Sequence, residues 1–365
     1  MLSTDQFTRT NDLNSHYEHL AFELGDGDKG NFLSGWQCIN PFAGELLEAV
    51  KRRSANVDYT RYRYFDDEPS LCEGLSALHL ARDGHNPPAV FCGSGSTSLL
   101  YGFVSLLKKR GIARVYYLPP MYFTLHIAFD RFGIETVPVS ESQPFERDFA
   151  MTLPQEGSSV LFLTDPIWYA GTPIDAHVIE RISAWQMRTG SLVFVDGSLQ
   201  YMPWPTRGAS EATADLDPDL TFRLICPSKQ LATHGYRFAY VLLPAAFVQE
   251  FAWVYTNIFG PVNVDSIAFA YEAVGAMESG AITAKLMALA RSRHAKLRSC
   301  GAIDSSFEPT CGYFAFEQVN VELPPDYIRV DGRYFDLTKY ATYMKLNLLS
   351  PSIAILDSTS ANVFP

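Results

Sequence analysis

The stretch Cys226-Pro227-Ser228-Lys229-Gln230-Leu231-Ala232-Thr233-His234-Gly235-Tyr236-Arg237 is the part of this chain that decides its fold. Lys229 follows a small hydroxyl residue, and Arg237 lies eight positions further on. A lysine amine reacts as a nucleophile when burial removes its proton. An arginine guanidinium binds phosphate through two parallel hydrogen bonds. Lys229 and Arg237 could instead be two unrelated cations on a surface loop. The flanking sequence has to decide between this interpretation and a site with a reactive lysine and a phosphate-binding arginine.

Short apolar segments flank this stretch and recur through the middle of the chain. They read as strands at about 89–92, 114–118, 136–139, 159–163, 192–195, 220–225 and 239–243. Helical patterns separate several of them, at about 98–109, 123–132 and 176–188. Fully apolar strands that alternate with helices are typical of a largely parallel sheet covered on both faces. The sequence therefore predicts an α/β fold.

Polar motifs directly follow several of these strands, which is where open α/β sheets bind ligands. Gly93-Ser94-Gly95-Ser96-Thr97 joins a strand to a helix. Its glycines allow a tight turn, and the free amides of a helix N-terminus attract phosphate, with Ser96 and Thr97 as further donors. Asp196 directly follows the strand at 192–195, and Pro120-Met121-Tyr122 follows the strand at 114–118.

In this order the motifs resemble those of fold-type I pyridoxal-phosphate (PLP) enzymes of aminotransferase class I/II, the aspartate aminotransferase superfamily. The stretch from Ser228 to Arg237 is similar to the S-x-S-K…G-x-R signature of that family. The resemblance implies that Lys229 carries PLP as a Schiff base and that Arg237 binds its phosphate. It also implies that Ser96, Thr97 and Ser228 belong to the cofactor site.

The resemblance assigns two further cofactor contacts and a dimer. Asp196 would pair with the pyridine nitrogen, so that the protonated ring withdraws electrons from the substrate's Cα. Tyr122 would stack on the face of the ring. Tyr59-Thr60-Arg61-Tyr62-Arg63-Tyr64 is similar to a Y-x-Y motif whose tyrosine reaches the phosphate in the other subunit, so that Tyr62 or Tyr64 implies a homodimer with shared active sites.

The chain departs from the family pattern beside the expected ring of the cofactor. The segment from Thr164 to Gly171 stands where the family has N-P-x-N-P-T-G, with Asp165 and Trp168 in place of the two asparagines. The second asparagine normally bonds the cofactor's phenolic oxygen, and the single indole N–H of Trp168 cannot replace an amide. Leu199 stands where a tyrosine often binds the same oxygen, which leaves Tyr201 as an alternative after a shifted turn.

A second departure concerns the substrate's α-carboxylate. Family members bind it with an arginine in a late strand, and Lys345 stands at the matching position. A lysine binds carboxylate as a point charge without the bidentate grip of arginine. Arg333 and Arg329 are nearby alternatives.

The resemblance covers about residues 45–350 and is strongest at 90–240. It implies an N-terminal arm at 1–45, a large PLP-binding domain at 46–250 in which helices sandwich a mostly parallel sheet, and a smaller C-terminal α/β domain at 251–365. Past about residue 247 the pattern changes to a helix-rich stretch at 248–293 and a late strand at 343–348, which suits a second domain.

Composition limits the partners and the location. The net charge is −11 and the chain has no block of lysine or arginine, which argues against nucleic acid. The six cysteines lack zinc-binding spacing, so we expect no metal and a reducing compartment. No apolar run approaches the length of a membrane span, and the first residues do not resemble a signal peptide. We therefore expect a cytoplasmic protein without membrane contact.

Two enzymatic hypotheses remain open from the sequence. The first is an aminotransferase that acts on the α-amine of an amino acid. The second is a PLP-dependent lyase or cyclase that catalyses β- or γ-elimination, replacement or cyclisation, for example on an arginine derivative. The departures at Trp168, Leu199 and Lys345 favour the second modestly. A non-catalytic regulator is less favoured because the chain has no basic DNA-binding segment before residue 45.

Overall fold

Two β-sheets organise the chain. The structure is a computed structural model that describes residues 33–36, 38–155, 157–205, 211–304, 307–323, 330–332 and 338–358. Its strands are β1 Ala89–Gly93, β2 Arg114–Tyr117, β3 Glu135–Pro138, β4 Val160–Thr164, β5 Leu192–Gly197, β6 Thr221–Ile225, β7 Ala239–Leu243, β8 Ile303–Asp304, β9 Phe314–Val319, β10 Val330–Asp331 and β11 Tyr343–Asn347.

Helices connect the strands and cover the sheets. They are α1 Gly44–Ser54, α2 Pro69–Asp83, α3 Ser96–Lys109, α4 Phe123–Arg131, α5 Ala176–Thr189, α6 Pro227–Gln230, α7 Val248–Phe259, α8 Val264–Ser279, α9 Ala281–Ser299 and α10 Ile355–Ser358. None of the helices in the described part of the chain is long and apolar enough to cross a membrane.

The large sheet has the strand order β1-β7-β6-β5-β4-β2-β3. The pairs β2–β3, β2–β4, β4–β5 and β5–β6 are parallel, whereas β7 runs antiparallel to both β6 and β1. The prediction of a mostly parallel sheet between helices is confirmed. Because β7 is reversed, its first residue lies at the same edge as the carboxyl ends of β1, β2, β4, β5 and β6. Every predicted motif between residues 93 and 237 therefore adjoins one edge.

The small sheet has the order β10-β11-β9-β8 and is antiparallel at each pairing. It lies in the C-terminal part of the chain, as expected for a second, smaller domain. The helices α7 and α8 follow residue 247 in sequence but pack on α3 and on α1 and α2, beside the large sheet. The long helix α9 then leads into the small sheet.

The core of the large sheet is aromatic. Phe162, Phe194 and Phe222 lie on neighbouring strands, and Phe103 of α3 packs against all three with ring centroids 4.5–5.4 Å apart. All four side chains are almost fully buried. Each such pair contributes about 0.5–1.5 kcal/mol beyond its buried area. This packing fixes α3, and with it the turn that begins at the end of β1.

Candidate active site

Three of the predicted residues meet at this edge of the large sheet. Asp196 is the penultimate residue of β5, Tyr122 directly precedes α4, and Lys229 lies on α6 after β6. The Lys229 Nζ is 6.0 Å from the centre of the Tyr122 ring. Burial raises the pKa of Tyr122, while the charge of Lys229 opposes this rise and that of Asp196 adds to it. The three side chains therefore share one electrostatic environment.

A single helical turn positions Lys229. Pro227 occupies the first turn of α6, where its missing N–H needs no partner. The backbone amides of Lys229 and Leu231 donate to the carbonyls of Cys226 and Pro227 at 3.0 and 2.8 Å. The hydroxyl of Ser228 donates to the Phe238 carbonyl at 3.3 Å, so it ties the turn to the start of β7. The lysine therefore extends from a rigid turn over the sheet edge.

The turn after β1 lies directly against Arg237. Gly95 has φ 88°, and a Cβ on it would lie 2.5 Å from Nη2 of Arg237. Ser96 begins α3 and is buried, whereas Thr97 is exposed. The residue before α3 is Gly95 itself, which has no side chain to cap the first turn. A guanidinium beside the uncapped N-terminus of a helix is a strong anion site, because both present N–H donors and positive potential.

Tyr255 on α7 holds this turn from behind. Its hydroxyl accepts a hydrogen bond from the amide of Ser94 at 2.7 Å and lies 2.9 Å from the hydroxyl of Ser98. The Ser98 hydroxyl in turn lies 2.8 Å from the carbonyl of Gly95. Sequence analysis did not identify Tyr255, because the motif and the tyrosine are far apart in sequence.

His234 lies between Lys229 and Arg237 in the chain and feels both charges. Burial first, and then the charges of Lys229 and Arg237, lower the pKa of His234 to about 4. Its Nε2 is buried without a hydrogen-bond partner among the described residues. The neutral imidazole is a potential donor or acceptor beside the anion site.

The two aspartates have different surroundings. Asp196 accepts a hydrogen bond from the amide of Ser198 at 3.1 Å and is buried at the sheet edge. Asp165 accepts from the amide of Ile174 at 2.9 Å and from the hydroxyl of Thr213 at 3.1 Å. Burial raises the pKa of Asp165, and these hydrogen bonds oppose the rise. Asp165 therefore braces its own loop.

An aromatic box surrounds Lys345. Its Nζ lies 3.9 Å from the ring centre of Trp36, 4.0 Å from that of Phe314 and 5.0 Å from that of Trp168. Trp36 stacks on Trp168 with centroids 5.8 Å apart and 18° between the planes, and its edge contacts Tyr122. We use the term aromatic box for Trp36, Trp168 and Phe314. The box adjoins the lysine on α6, because Lys229 Nζ is 5.1 Å from the Trp36 ring.

The segment before α1 delivers Trp36 to this box. The carbonyl of Leu33 accepts from the amide of Asn347 at 2.7 Å, and that of Gly35 accepts from its side-chain amide at 3.0 Å. The hydroxyl of Ser34 donates to the carbonyl of Lys345 at 2.5 Å. This part of the predicted N-terminal arm is therefore bound to β11. No sequence motif identified Trp36.

Tyr201 is engaged in a buried cluster with Asp83 and Arg223. Its hydroxyl donates to the Asp83 carboxylate at 2.8 Å and also accepts from Arg223. His79 completes this buried cluster through Nδ1, 2.8 Å from Asp83. Leu199 is buried in the core. The shifted turn that would bring Tyr201 to the cofactor is therefore not formed.

The remaining predicted residues lie at the periphery or outside the description. Tyr62 is 80% exposed and Tyr64 is half-buried. The neighbouring carbonyl of Arg63 accepts from the amide of Val262 at 2.9 Å, which anchors the segment. Arg329 and Arg333 lie outside the described residues. Within the described ranges no group of three or more His, Cys, Asp or Glu is arranged to hold a metal ion.

Comparison with known proteins defines the family. The family model for aminotransferase class I and II matches residues 37–300, and the chain belongs to this family. Members use pyridoxal 5′-phosphate, and this chain is a PLP-dependent enzyme of the transferase type. Comparison with curated proteins found no match.

Solved structures share the fold over nearly the whole chain. A probable N-succinyldiaminopimelate aminotransferase from Thermus thermophilus is 15% identical, with 95% of this chain and 97% of that chain covered and a TM-score of 0.74. YbdL from Escherichia coli, described as having a methionine aminotransferase function, is 13% identical, with 100% and 97% covered and a TM-score of 0.75. A double mutant of Thermus thermophilus aspartate aminotransferase is 16% identical, with 97% and 96% covered and a TM-score of 0.74.

Proposed function

We propose that this protein is an aminotransferase that acts on the α-amino group of an amino acid, with PLP attached to Lys229. The observation that carries this proposal is the meeting of Lys229, Asp196 and Tyr122 at the sheet edge that also presents the Gly95–Arg237 anion site. An amine, a carboxylate, an aromatic face and a phosphate site are the four contacts that PLP needs.

The residues present fit the cofactor. Gly95 leaves no room for a Cβ beside Arg237, so the guanidinium and the α3 N-terminus present one concave surface for a phosphate. Ser96, Thr97 and Ser228 would contribute hydroxyl groups to that surface, and Tyr62 or Tyr64 of a second subunit would complete it. Trp168 and Tyr122 supply aromatic surface for the ring.

The chain's own residues then divide the chemistry. PLP, when bound, withdraws electrons from the bonds at the amino acid's Cα. Asp196 would hold the pyridine nitrogen of the cofactor and keep it protonated. Lys229 would hold the cofactor, and its amine, when free, would serve as the base for the proton at Cα. Lys345, with Arg333 as the alternative, holds the α-carboxylate and so orients the Cα–H bond.

Replacement of Lys229 tests the attachment. In the wild type, borohydride reduction should fix PLP covalently on the peptide that contains Lys229, as measured by mass spectrometry. K229A should lose this modification, whereas K339A, which removes an exposed lysine on the protein surface, should retain it. Covalent PLP on K229A at the wild-type level contradicts the assignment.

A lyase or cyclase is the alternative function. Trp168 and Leu199 are both buried where the family has polar groups for the phenolic oxygen, and the hydroxyl of Tyr201 is held by Asp83. This less polar surrounding is the observation that favours the alternative. Amino acids added without a keto-acid acceptor separate the two functions. An aminotransferase releases keto acid in stoichiometric amount and stops, whereas a lyase or cyclase continues to turn over.

We further propose a homodimer with shared active sites in the cytoplasm. Tyr62 is 80% exposed in the single chain although it belongs to the motif expected to reach the other subunit, which supports the dimer. All six cysteines are free thiols, which supports a reducing compartment. Light scattering of the purified protein measures whether two chains associate.

A further inference from the structure

Lys345 is buried, and the described residues supply no counter-charge to it. Its side chain is 2% exposed and lies on β11, with Phe316 opposite it on β9. The titratable groups that act on it are Lys229 and Cys38, with no carboxylate of the described chain among them. Cys38 gives no negative charge near neutral pH, because burial raises the pKa of its thiol to about 12.

Aromatic faces replace water around the amine. The rings of Trp36 and Phe314 approach Nζ to 3.9 and 4.0 Å, and that of Trp168 to 5.0 Å. Cation–π attraction recovers only part of the hydration that an ammonium ion loses on burial. Desolvation therefore lowers the pKa of Lys345 well below its usual value, and the charge of Lys229 lowers it further while the amine of Lys229 carries no cofactor.

Trp36 also links the two lysines. Its ring is 3.9 Å from the amine of Lys345 and 5.1 Å from that of Lys229, so that both nitrogens lie near one aromatic surface. A substrate carboxylate at Lys345 changes this balance, because it supplies the opposite charge that the described site lacks. An opposite charge within hydrogen-bond distance favours the charged form of an amine.

We propose that Lys345 is neutral in the ligand-free site and takes up a proton when a substrate carboxylate binds to it, with Trp36 enforcing this coupling. Trp36 is then a positioning residue that acts through Lys345. This inference rests on the proposed function, in which Lys345 receives the carboxylate. A lysine at this position allows the charge to change when the carboxylate binds, whereas the guanidinium of an arginine would stay charged with or without it.

The coupling has a defined pH dependence. Above the pKa that Lys345 has in the free site, each ligand must bring a proton with it, so affinity falls about tenfold per pH unit. Below that pKa the amine is already charged and affinity is constant. The K345R variant keeps a cation at all these pH values, so its carboxylate affinity should change less than about twofold over the same range.

Calorimetry on the PLP-loaded protein measures the proton directly. The probe is 3-phenylpropionate, a carboxylate without an amino group, titrated at several pH values in two buffers of different ionisation heat. The visible absorbance of the bound PLP reports the protonation of the cofactor itself, and this contribution is subtracted from the total proton uptake. We expect wild type to take up close to one proton more than K345R. W36F should behave as wild type, whereas W36A admits water and should take up less.

The outcomes separate this inference from the proposed function. Equal proton uptake by wild type and K345R, with binding retained, overturns the coupling and leaves the carboxylate site intact. No binding to wild type, or unchanged binding to K345M, overturns Lys345 as the receptor as well. In each case, borohydride fixation of PLP on Lys229 reports separately whether the proposed cofactor chemistry holds.

Discussion

Replacement of Gly95 by alanine tests the anion site most sharply. The new Cβ would lie 2.5 Å from Nη2 and 3.0 Å from Cζ of Arg237, closer than such atoms approach in proteins. Because the backbone of α3 is fixed by its aromatic packing, the guanidinium has to move. Loss of a charged hydrogen bond to phosphate costs about 1.5–3 kcal/mol, so PLP should bind G95A roughly 10- to 150-fold more weakly.

Backbone strain is a separate effect and needs its own control. Gly95 has φ 88° and ψ 165°, a conformation that is nearly restricted to glycine and costs another residue about 1–3 kcal/mol. Gly111 also has a positive φ, 74°, and a Cβ added there would meet no atom within 4 Å, so G111A carries backbone strain without a displaced arginine. Urea unfolding should show a loss of stability in both variants. PLP titration of the apoproteins should show weaker binding in G95A alone. An affinity of G95A within about twofold of wild type refutes the reasoning.

Two further predictions concern residues outside the predicted motifs. Tyr255→Phe removes the acceptor for the amide of Ser94, so we expect weaker PLP binding by about 1–3 kcal/mol in the same titration, with unfolding by urea as the check on stability. Asp83→Asn leaves Arg223 buried without its partner and should destabilise the protein by about 3–5 kcal/mol. Burial alone would raise the pKa of Asp83, but the hydrogen bond with His79 and the charge of Arg223 outweigh it and hold this pKa below its usual range. The stabilisation is therefore present above about pH 4 and lost as the pH falls below that value. The difference in the free energy of unfolding between wild type and D83N should accordingly shrink as the pH falls below about 4. Equal stability of D83N and wild type at pH 7 would contradict this.

Local patterns predict the elements that carry the motifs. The strand predicted at 239–243 has the observed bounds, and α3 begins at Ser96, two residues before the predicted start. The turn at Gly95 sets the first residue of α3, because its backbone conformation is nearly restricted to glycine and is not helical. The spacing of apolar residues and the composition of the segment do not indicate where this turn ends. The antiparallel direction of β7, which brings Arg237 to the correct edge, also follows from no pattern in its apolar residues.

The candidate site shows where local reasoning stops. The sequence identifies Lys229, Asp196 and Tyr122 because each belongs to a family motif that follows a strand, and the ends of parallel strands meet at one edge of a sheet. Trp36 was missed because its position depends on hydrogen bonds between the segment at 33–35 and Asn347, which is remote in sequence. Tyr201 was considered for the cofactor, but the partner that holds its hydroxyl is Asp83 on a distant helix.

The sequence by itself determined the family, the parallel sheet and the chemical groups at its edge, since these depend on residue type and on spacing along the chain. Only the tertiary structure decided the surroundings that shift the pKa values of Lys345 and His234. Lys345 and His234 are an ordinary cation and an ordinary imidazole in sequence, and their pKa values fall because packing removes water and brings Lys229 near both. Desolvation and proximity depend on which distant surfaces meet, and those contacts exist only in the folded chain.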